Sequence, residues 1–295
     1  MTSHSSQASP EPAGAKEAHG ATPVWRLLGL AAAVFFLLGV IGGEAVRMGL
    51  PRPGIIAVAI ATGIGFIGIS VAMVGLIVRL PLSGKARLWV AIILSLAAAG
   101  AKIGAVRLSS NLFLELIGDL CLFVAAILFG VLASRIIRER NILVPVAVAA
   151  AAVDTFGVYW GPVAEITKRA PELAKHLSAA VPGADIPAIP VPQLSYIGVG
   201  DFLFMGLFVA AVYRLGLNRR GTLWALFIAF LIVPGVFAIT NLPALPGLVF
   251  LGLAVVIANW RYFRFSRAEK FALLYAGIAV VVLIMLVWGL KQALG

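Results

Sequence analysis

The 295-residue chain is 62% hydrophobic and only 12% charged, and its formal net charge is +11. Soluble globular chains are roughly 45–50% apolar and about 25% charged, so this composition excludes an ordinary soluble domain. The basic excess is typical of Lys and Arg that flank membrane helices on the cytoplasmic side. We expect no nucleic-acid partner, because no basic cluster belongs to a soluble module with its own core.

Few residues in the sequence could ligate a metal. The single cysteine, Cys121, lies in an apolar stretch, which excludes an intrachain disulfide and a multi-cysteine metal site. His4, His19 and His176 lie in a polar tail and a loop, without the spacing of zinc ligands. No Gly-x-Ser-x-Gly segment pairs with a membrane-embedded histidine. We therefore expect no metal, no cofactor and no serine-type hydrolysis.

The order of apolar and polar segments predicts an all-α polytopic membrane protein. Residues 1–23 are polar and are expected to form a disordered amino-terminal tail. Apolar runs of about 18–25 residues then predict about nine membrane spans. Their approximate limits are 25–46, 54–78, 88–106, 111–136, 142–163, 195–214, 221–240, 242–260 and 270–291. The third is the weakest, because Lys102 interrupts it.

Loop charges predict the orientation of the chain. With the amino terminus inside, roughly 15 of the 23 Lys and Arg residues fall in the tail and the even-numbered gaps. The amino terminus is therefore predicted to be cytoplasmic, in a prokaryotic plasma membrane, and loss of the third span would invert every later span. The one sizeable loop, 164–194, would be external. It ends in a proline-rich stretch that favours extended chain: Pro182, Pro187, Pro190 and Pro192.

Two aspartates lie inside predicted spans. Asp154 is about half-way along the fifth span, and Asp201 is about two turns into the sixth. An intramembrane acid is costly unless something compensates its charge, so each indicates a functional site. Two carboxyls close together in low dielectric share one proton, so that one can accept a proton from water while the other donates one to a carbonyl oxygen. Consecutive spans usually pack as antiparallel neighbours, which would let the two face each other.

Glycines and prolines near these acids indicate irregular backbone. Gly198 and Gly200 permit the close approach of another backbone, or a break in the helix, directly before Asp201. Pro243 and Pro246 cannot both be helix-interior without freeing carbonyls, which is tolerated at membrane depth only under protein or beside a water-filled cavity. The alternative is that Pro243 simply begins the eighth helix.

Three segments, in this order, resemble the presenilin and signal peptide peptidase family of GxGD intramembrane aspartyl proteases. Residues 196–204 resemble the GxGD helix, residues 241–246 resemble the Pro-Ala-Leu motif, and residues 153–159 resemble the first aspartate helix. The resemblance covers about 145–260. It implies that 141–260 is a catalytic membrane domain, that about four helices in 24–140 precede it, and that 261–295 adds a carboxyl-terminal helix.

The resemblance also implies roles for particular residues. Asp154 and Asp201 would be the catalytic pair, with water as the nucleophile. The neighbouring residues would shape the active site and bind substrate: Gly198, Gly200, Pro243, Ala244 and Leu245. Substrates would be membrane-spanning proteins or signal-peptide remnants, and no cofactor is implied. An unwound substrate needs new hydrogen-bond partners, for which the segments 182–192 and around Pro243 are candidate strand edges.

The chain departs from the family pattern in three ways. Val153 stands where the family usually has Tyr. The span 270–291 is additional, and about four spans precede the first aspartate helix where the family usually has five. With a cytoplasmic amino terminus, the aspartate helices would run as in signal peptide peptidases and opposite to presenilins.

Other acids leave other functions open. Glu115 and Asp119 lie one turn apart in the fourth span, either solvated near an interface or lining a proton or cation path. The competing class is therefore a proton- or cation-coupled secondary transporter, although the internal repeats typical of that class are not visible. A third class is an accessory membrane protein whose acids pair with Lys102 or Arg79. A prepilin-type peptidase also uses GxGD, but the basic residue expected after Asp201 is missing.

Overall fold

A computed structural model gives the architecture of the chain. It describes residues 14–44, 51–108, 111–159, 178–180, 196–240 and 246–271, with the isolated positions 161, 169, 273–275, 277, 278, 282 and 285. The described chain is all-α apart from one short hairpin. Its helices are α1 (Gly14–Glu44), α2 (Arg52–Ile77), α3 (Gly84–Arg107), α4 (Leu112–Ala133), α5 (Leu143–Tyr159), α6 (Val199–Arg214), α7 (Arg219–Thr240) and α8 (Gly247–Asn259). Strands β1 (Ser178–Ala180) and β2 (Tyr196–Gly198) pair antiparallel, and the short 3₁₀ turns are Ser134–Ile136 and Trp260–Tyr262.

Among the residues that the structure describes, four helical segments are long and apolar enough to cross a membrane. They are Val24–Gly42, Pro53–Ile77, Gly84–Arg107 and Leu112–Ile136, and two shorter apolar helices are Leu143–Tyr159 and Gly247–Tyr262. Large apolar side chains on α3 face outward, with Leu96 69% and Trp89 64% exposed. Such exposure is expected of helices that meet lipid rather than water.

Polar caps set the first turns of two of these helices. The Ser83 side chain accepts from the main-chain N–H of Ala86 at 3.2 Å and begins α3. The Asn111 side chain accepts from Phe113 and Leu114 at 3.0 and 3.3 Å and begins α4. Side-chain oxygens of this kind satisfy N–H groups that have no partner within the helix.

The structure differs from the sequence-based boundaries at three places. Helix α1 begins at Gly14, inside the segment 1–23 that was expected to be disordered. Helix α8 begins at Gly247, so Pro243 does not begin it. Residues 196–198 form strand β2 instead of helix, which places Asp201 in the first turn of α6 rather than two turns into it. Of the predicted span 270–291, most positions lie outside the described residues.

Helix α4 packs against α3 on one side and α6 on the other. Two glycines allow the α4–α6 crossing. A Cβ on Gly206 would lie 2.6 Å from the carbonyl oxygen of Ile127, and a Cβ on Gly130 would fall on the main chain of Leu203. Small residues at such crossings let two helix backbones approach closely. The Phe123 ring fills the core nearby, 4.8 Å from the Phe202 ring centroid.

Helix α8 connects the two helices that carry Asp154 and Asp201. It packs along α5 and α7 and also contacts α6, whereas α5 and α6 make at most marginal direct contact in the described part of the chain. The prediction that the aspartate helices pack directly against each other is therefore wrong, although they do run in opposite directions. The reason is that α8, later in the sequence, occupies the position between them. A Cβ on Gly252 of α8 would lie 3.2 Å from the carbonyl oxygen of Ala147 in α5.

A buried polar cluster fixes the far end of α8. Asn259, fully buried, donates to the Thr222 hydroxyl at 2.8 Å and accepts from the main chain of Asn218 at 2.9 Å. Buried polar side chains that are satisfied in this way specify one arrangement of the helices. Helix α8 is thus held against α7 at its carboxyl end, while its amino end lies at the aspartates.

Candidate functional site: two carboxylates at the start of helix α8

Asp154 lies in the last two turns of α5 and contacts the first turn of α8. Its Oδ2 accepts a hydrogen bond from the main-chain N–H of Leu248 at 2.9 Å. The residue in the N-cap position of α8, Pro246, provides no side-chain cap. The first N–H groups of a helix need acceptors, and the helix dipole favours negative charge at that end. Asp154 therefore caps α8 from a different helix.

Asp201 lies in the first turn of α6, three residues after the N-cap residue Gly198. Its carboxylate accepts a hydrogen bond from the main chain of Gly198. An acidic side chain at this third position that reaches back to the N-cap N–H is one half of a capping box. Local geometry thus orients the Asp201 carboxylate toward the amino end of its own helix.

Gly247 brings the two carboxylates together. A Cβ on Gly247 would lie 2.7 Å from Oδ1 of Asp201, so the carboxylate rests directly on the glycine backbone. The next residue, Leu248, is the one that donates to Asp154. Consecutive residues of α8 therefore contact both acids, and the two carboxylates interact electrostatically. The structure brings Asp154 and Asp201, which are separated by a long stretch of chain, to one place.

Helix amino termini compensate the charge at this site. Asp154 meets the start of α8, and Asp201 meets the start of α6 and of α8. No salt bridge to either carboxylate occurs within the described ranges. Main-chain N–H donors and helix dipoles hold negative charge without a permanent cation. Such a site can change its protonation state without breaking an ion pair.

The basic residues considered as partners for these acids bind elsewhere. Lys102 forms a salt bridge with Asp119, with Nζ 2.7 Å from Oδ1. Arg79 donates to the Tyr213 hydroxyl from Nη2 at 2.6 Å. The expected pairing of an intramembrane acid with Lys102 is therefore confirmed for Asp119, and in the described residues it does not extend to Asp154 or Asp201.

The predicted glycines have unequal surroundings. A Cβ on Gly198 would meet Oδ2 of Asp201 at 3.5 Å, which is an ordinary contact. A Cβ on Gly200 would meet nothing within 4 Å, and Gly200 is exposed. No other segment in the described part of the chain approaches Gly200, so the space beside it is open. Pro243, Ala244 and Leu245 lie outside the described residues.

Gly247 and Leu248 were not identified from the sequence. Their signal is weak, because one glycine after a proline and one leucine in an apolar helix are common. Only their place directly after the segment 241–246 could have indicated them. The contact uses main-chain atoms of Leu248, which carry no side-chain signature in the sequence.

Glu115 and Asp119, the two acids of the fourth predicted span, have different surroundings. Glu115 is exposed in the first turn of α4, close to the Asn111 cap. Asp119, one turn later, is buried and bound to Lys102. The two acids therefore lie in different environments, one exposed and one buried in an ion pair.

The hairpin β1–β2 lies directly before the Asp201 helix. Its register pairs Ser178 with Gly198, Ala179 with Ile197 and Ala180 with Tyr196. Residues 182–192, which were considered as a strand edge, lie outside the described residues. The strands that flank that segment therefore form a two-stranded sheet whose last residue is the N-cap of α6.

Within the described residues, no group of three or more His, Cys, Asp or Glu side chains is placed to hold a metal ion. Comparison of the chain with protein-family models, with curated protein sequences and with solved structures found no match in any of the three. The arrangement of the aspartates therefore has to be interpreted from its own chemistry.

Proposed function

We propose that this protein is an intramembrane aspartyl endopeptidase that hydrolyses peptide bonds within or near the membrane-spanning segments of other proteins. The observation that carries the proposal is the contact of Asp154 and Asp201 with the consecutive residues Leu248 and Gly247. Two carboxyls that meet in an apolar helical bundle, with helix amino termini instead of cations around them, have the arrangement that acid/base hydrolysis requires.

The reaction would use one proton shared by the two carboxyls. The ionised member takes a proton from water, whose oxygen then attacks the scissile carbonyl carbon. The protonated member donates its proton to the carbonyl oxygen, which gives a neutral tetrahedral diol. Return of a proton to the amide nitrogen breaks the C–N bond and releases an amine and a carboxylic acid. The proton belongs to the pair, so neither role is assigned to Asp154 or Asp201 alone.

The proposal includes the nine-span, presenilin-like architecture that the sequence resemblance implies. The four long apolar helices and the two shorter ones found among the described residues are compatible with it. Asp154, Asp201 and Gly247 then lie at the same end of the bundle, because α5 ends there while α6 and α8 begin there. With a cytoplasmic amino terminus this end would face the exterior.

A substrate helix hides its carbonyls in its own hydrogen bonds and must unwind before attack. Strand β2 ends at Gly198 and Asp201 follows in the next turn, so an extended substrate segment paired with the hairpin would lie beside the carboxylate. The open space at Gly200 leaves room for that segment. This geometry supports hydrolysis of locally unwound peptide better than ion passage.

The transporter alternative is weakened by the environment of Asp119. An acid that carries protons or cations must exchange its partner during the cycle, whereas Asp119 is buried against Lys102 at 2.7 Å. Asp201 lies in the first turn of α6, and both carboxylates face the amino terminus of α8, where the helix dipole favours anions and opposes cations. Transport remains a distinct outcome of the experiment below.

The test is cleavage of a single-span substrate by the purified full-length protein in liposomes. Asp154→Asn and Asp201→Asn keep the size of each side chain but remove its proton chemistry. We expect each to lower the rate at least about 10³-fold, the order attributed to a positioned acid or base. The matched control is Glu115→Gln, an equal change at an exposed acid of the same membrane domain, which should cut at the wild-type rate.

Three results would contradict the proposal. Equal cleavage by wild type and both aspartate variants would assign the activity to a contaminant. If Glu115→Gln also loses cleavage, the loss in the aspartate variants would be attributed to folding and not to proton transfer. If no substrate of either orientation is cut, and a pH-driven ion flux depends on Asp154 and Asp201, the protein is a transporter.

A further inference from the structure

Lys102 joins two parts of the molecule through one ammonium group. Its Nζ lies 2.7 Å from Oδ1 of Asp119 and 2.8 Å from the main-chain carbonyl oxygen of Ser178. The two charged side chains are only 13% and 5% exposed. A buried ion pair of this kind gives no assurance of net stability, so its presence is better explained by the position in which it holds the groups around it.

The residues around Lys102 direct its ammonium group toward strand β1. The stem of Lys102 passes over Gly118, where a Cβ would lie 2.8 Å from the lysine Cγ. Helix α3 continues without interruption through Lys102. The ammonium group can therefore contact Asp119 on α4 and the first residue of β1 together. Ionised donors make hydrogen bonds roughly twice as strong as neutral ones.

The residue that Lys102 holds leads directly to Asp201. Ser178 is the register partner of Gly198 across the hairpin. Gly198 is the N-cap residue of α6, and its main chain donates to the Asp201 carboxylate. An isolated two-stranded hairpin is marginally stable at best, so an external anchor on its first strand fixes the second strand as well.

We propose that Lys102 and Asp119 are positioning residues for Asp201: the ion pair anchors strand β1 at Ser178, and the hairpin thereby sets the position of Gly198 and of the carboxylate that it binds. The catalytic consequence rests on the function proposed above. The anchoring itself does not, and it can be measured without any protease assay.

The experiment removes the anchor without leaving a buried charge. The double variant Lys102→Met/Asp119→Leu deletes both charges, and such apolar replacement of a buried pair is often neutral or stabilising. Removing Lys102 alone would leave an uncompensated Asp119 and could unfold the protein. Lys102→Arg keeps a charged donor, so it is expected to retain more activity than the double variant.

The first readout is closure of the hairpin by an engineered disulfide. In a Cys121→Ser background, Ala179→Cys and Ile197→Cys introduce a pair of register partners. Directly opposed antiparallel residues have Cα atoms about 4.5–5.5 Å apart, within the range that a disulfide requires. We expect the two cysteines to form a disulfide rapidly when the ion pair is present, and at least about tenfold more slowly in the double variant. Disulfide formation is followed by mass shift in both proteins.

The second readout is cleavage. We expect the double variant to lose about 10- to 100-fold in rate, the order that a displacement of about 1 Å imposes. The disulfide should restore the rate to within a few-fold of wild type, and a reducing agent should remove that restoration. Loss of a merely structural interaction distant from the hairpin would not be repaired by a cross-link at 179 and 197.

The two readouts separate the anchoring from the function. Equal disulfide formation with and without the ion pair would overturn the anchoring. Slower disulfide formation with an unchanged cleavage rate would overturn the claim that the ion pair positions Asp201. Slower formation together with a wild-type protein that cuts no substrate would support the anchoring and overturn the proposed protease.

Discussion

Leu248 donates its main-chain N–H to the carboxylate of Asp154 at 2.9 Å, so the start of one helix is capped by a side chain of another. The donor is a backbone group, and no substitution of the Leu248 side chain removes it directly. The contact instead depends on where α8 begins. Gly247, the residue before the donor, also rests on Asp201, which makes the first turn of α8 the common support of both acids.

Replacement of Gly247 is the most direct test of this support. In Gly247→Ala the new Cβ would lie 2.7 Å from Oδ1 of Asp201, closer than real Cβ contacts allow. Either Asp201 or the first turn of α8 must move, and a shift of about 1 Å at a reacting group can lower the rate about 100-fold. We expect that loss in steady-state cleavage, with the protein still folded.

The matched control is Gly100→Ala in α3, where a Cβ would meet nothing within 4 Å. Gly100 lies in the interior of α3, where exchange of glycine for alanine by itself favours helix by about 1 kcal/mol. Gly100→Ala should therefore cleave at the wild-type rate and melt no lower. Wild-type cleavage by Gly247→Ala would show that the close contact with Asp201 does not matter.

Replacement of Gly200 should weaken the use of substrate without destabilising the fold. In the described part of the chain nothing lies within 4 Å of the new methyl group, so Gly200→Ala should not lower the melting temperature. If substrate backbone occupies this space, the methyl group weakens its approach, and we expect kcat/KM to fall at least about tenfold, or about 1.4 kcal/mol. Unchanged kinetics would place the substrate elsewhere.

Glu269 accepts two hydrogen bonds outside the membrane helices, from Ser266 and Asn141, and these should depend on pH. We call this pair of hydrogen bonds the clasp. Its Oε2 accepts from the main chain of Ser266 at 2.6 Å, and its Oε1 accepts from Asn141 at 3.2 Å. These hydrogen bonds, from Ser266 first and Asn141 second, hold the pKa of the Glu269 carboxyl below its usual range. A lowered pKa means that the clasp is present at neutral pH and is lost as the pH falls through that lowered pKa.

Hydrogen exchange at residues 264–271 would measure the clasp. At about pH 7, Glu269→Gln should exchange faster than wild type, since the amide lacks the charge that strengthens these hydrogen bonds. At a pH well below the usual glutamate pKa of about 4.3, the two proteins should exchange alike. Glu139→Gln, at another exposed glutamate in the turn before Asn141, is the control and should match wild type throughout. A difference between Glu269→Gln and wild type that persists in acid would contradict the assignment.

Local sequence was sufficient to predict most of the helices. A run of apolar residues long enough to cross hydrocarbon forms a helix for reasons contained in the run itself, because no other backbone partner is available there. This is why α2, α3 and α4 lie close to their predicted limits, and why α3 continues through Lys102. The sequence does not predict strand β2, because its hydrogen bonds go to β1, which is distant along the chain.

The sequence by itself determined that two acids lie in apolar segments beside irregular backbone, since composition and the positions of Gly and Pro are local properties. Only the tertiary structure decided what those acids contact. Asp154 and Asp201 meet because α8 places Leu248 and Gly247 between them, and Asp119 is neutralised because α3 packs on α4. Hydrogen bonds and ion pairs act over a few ångströms, and which distant residues come that close is set by the packing of the whole bundle.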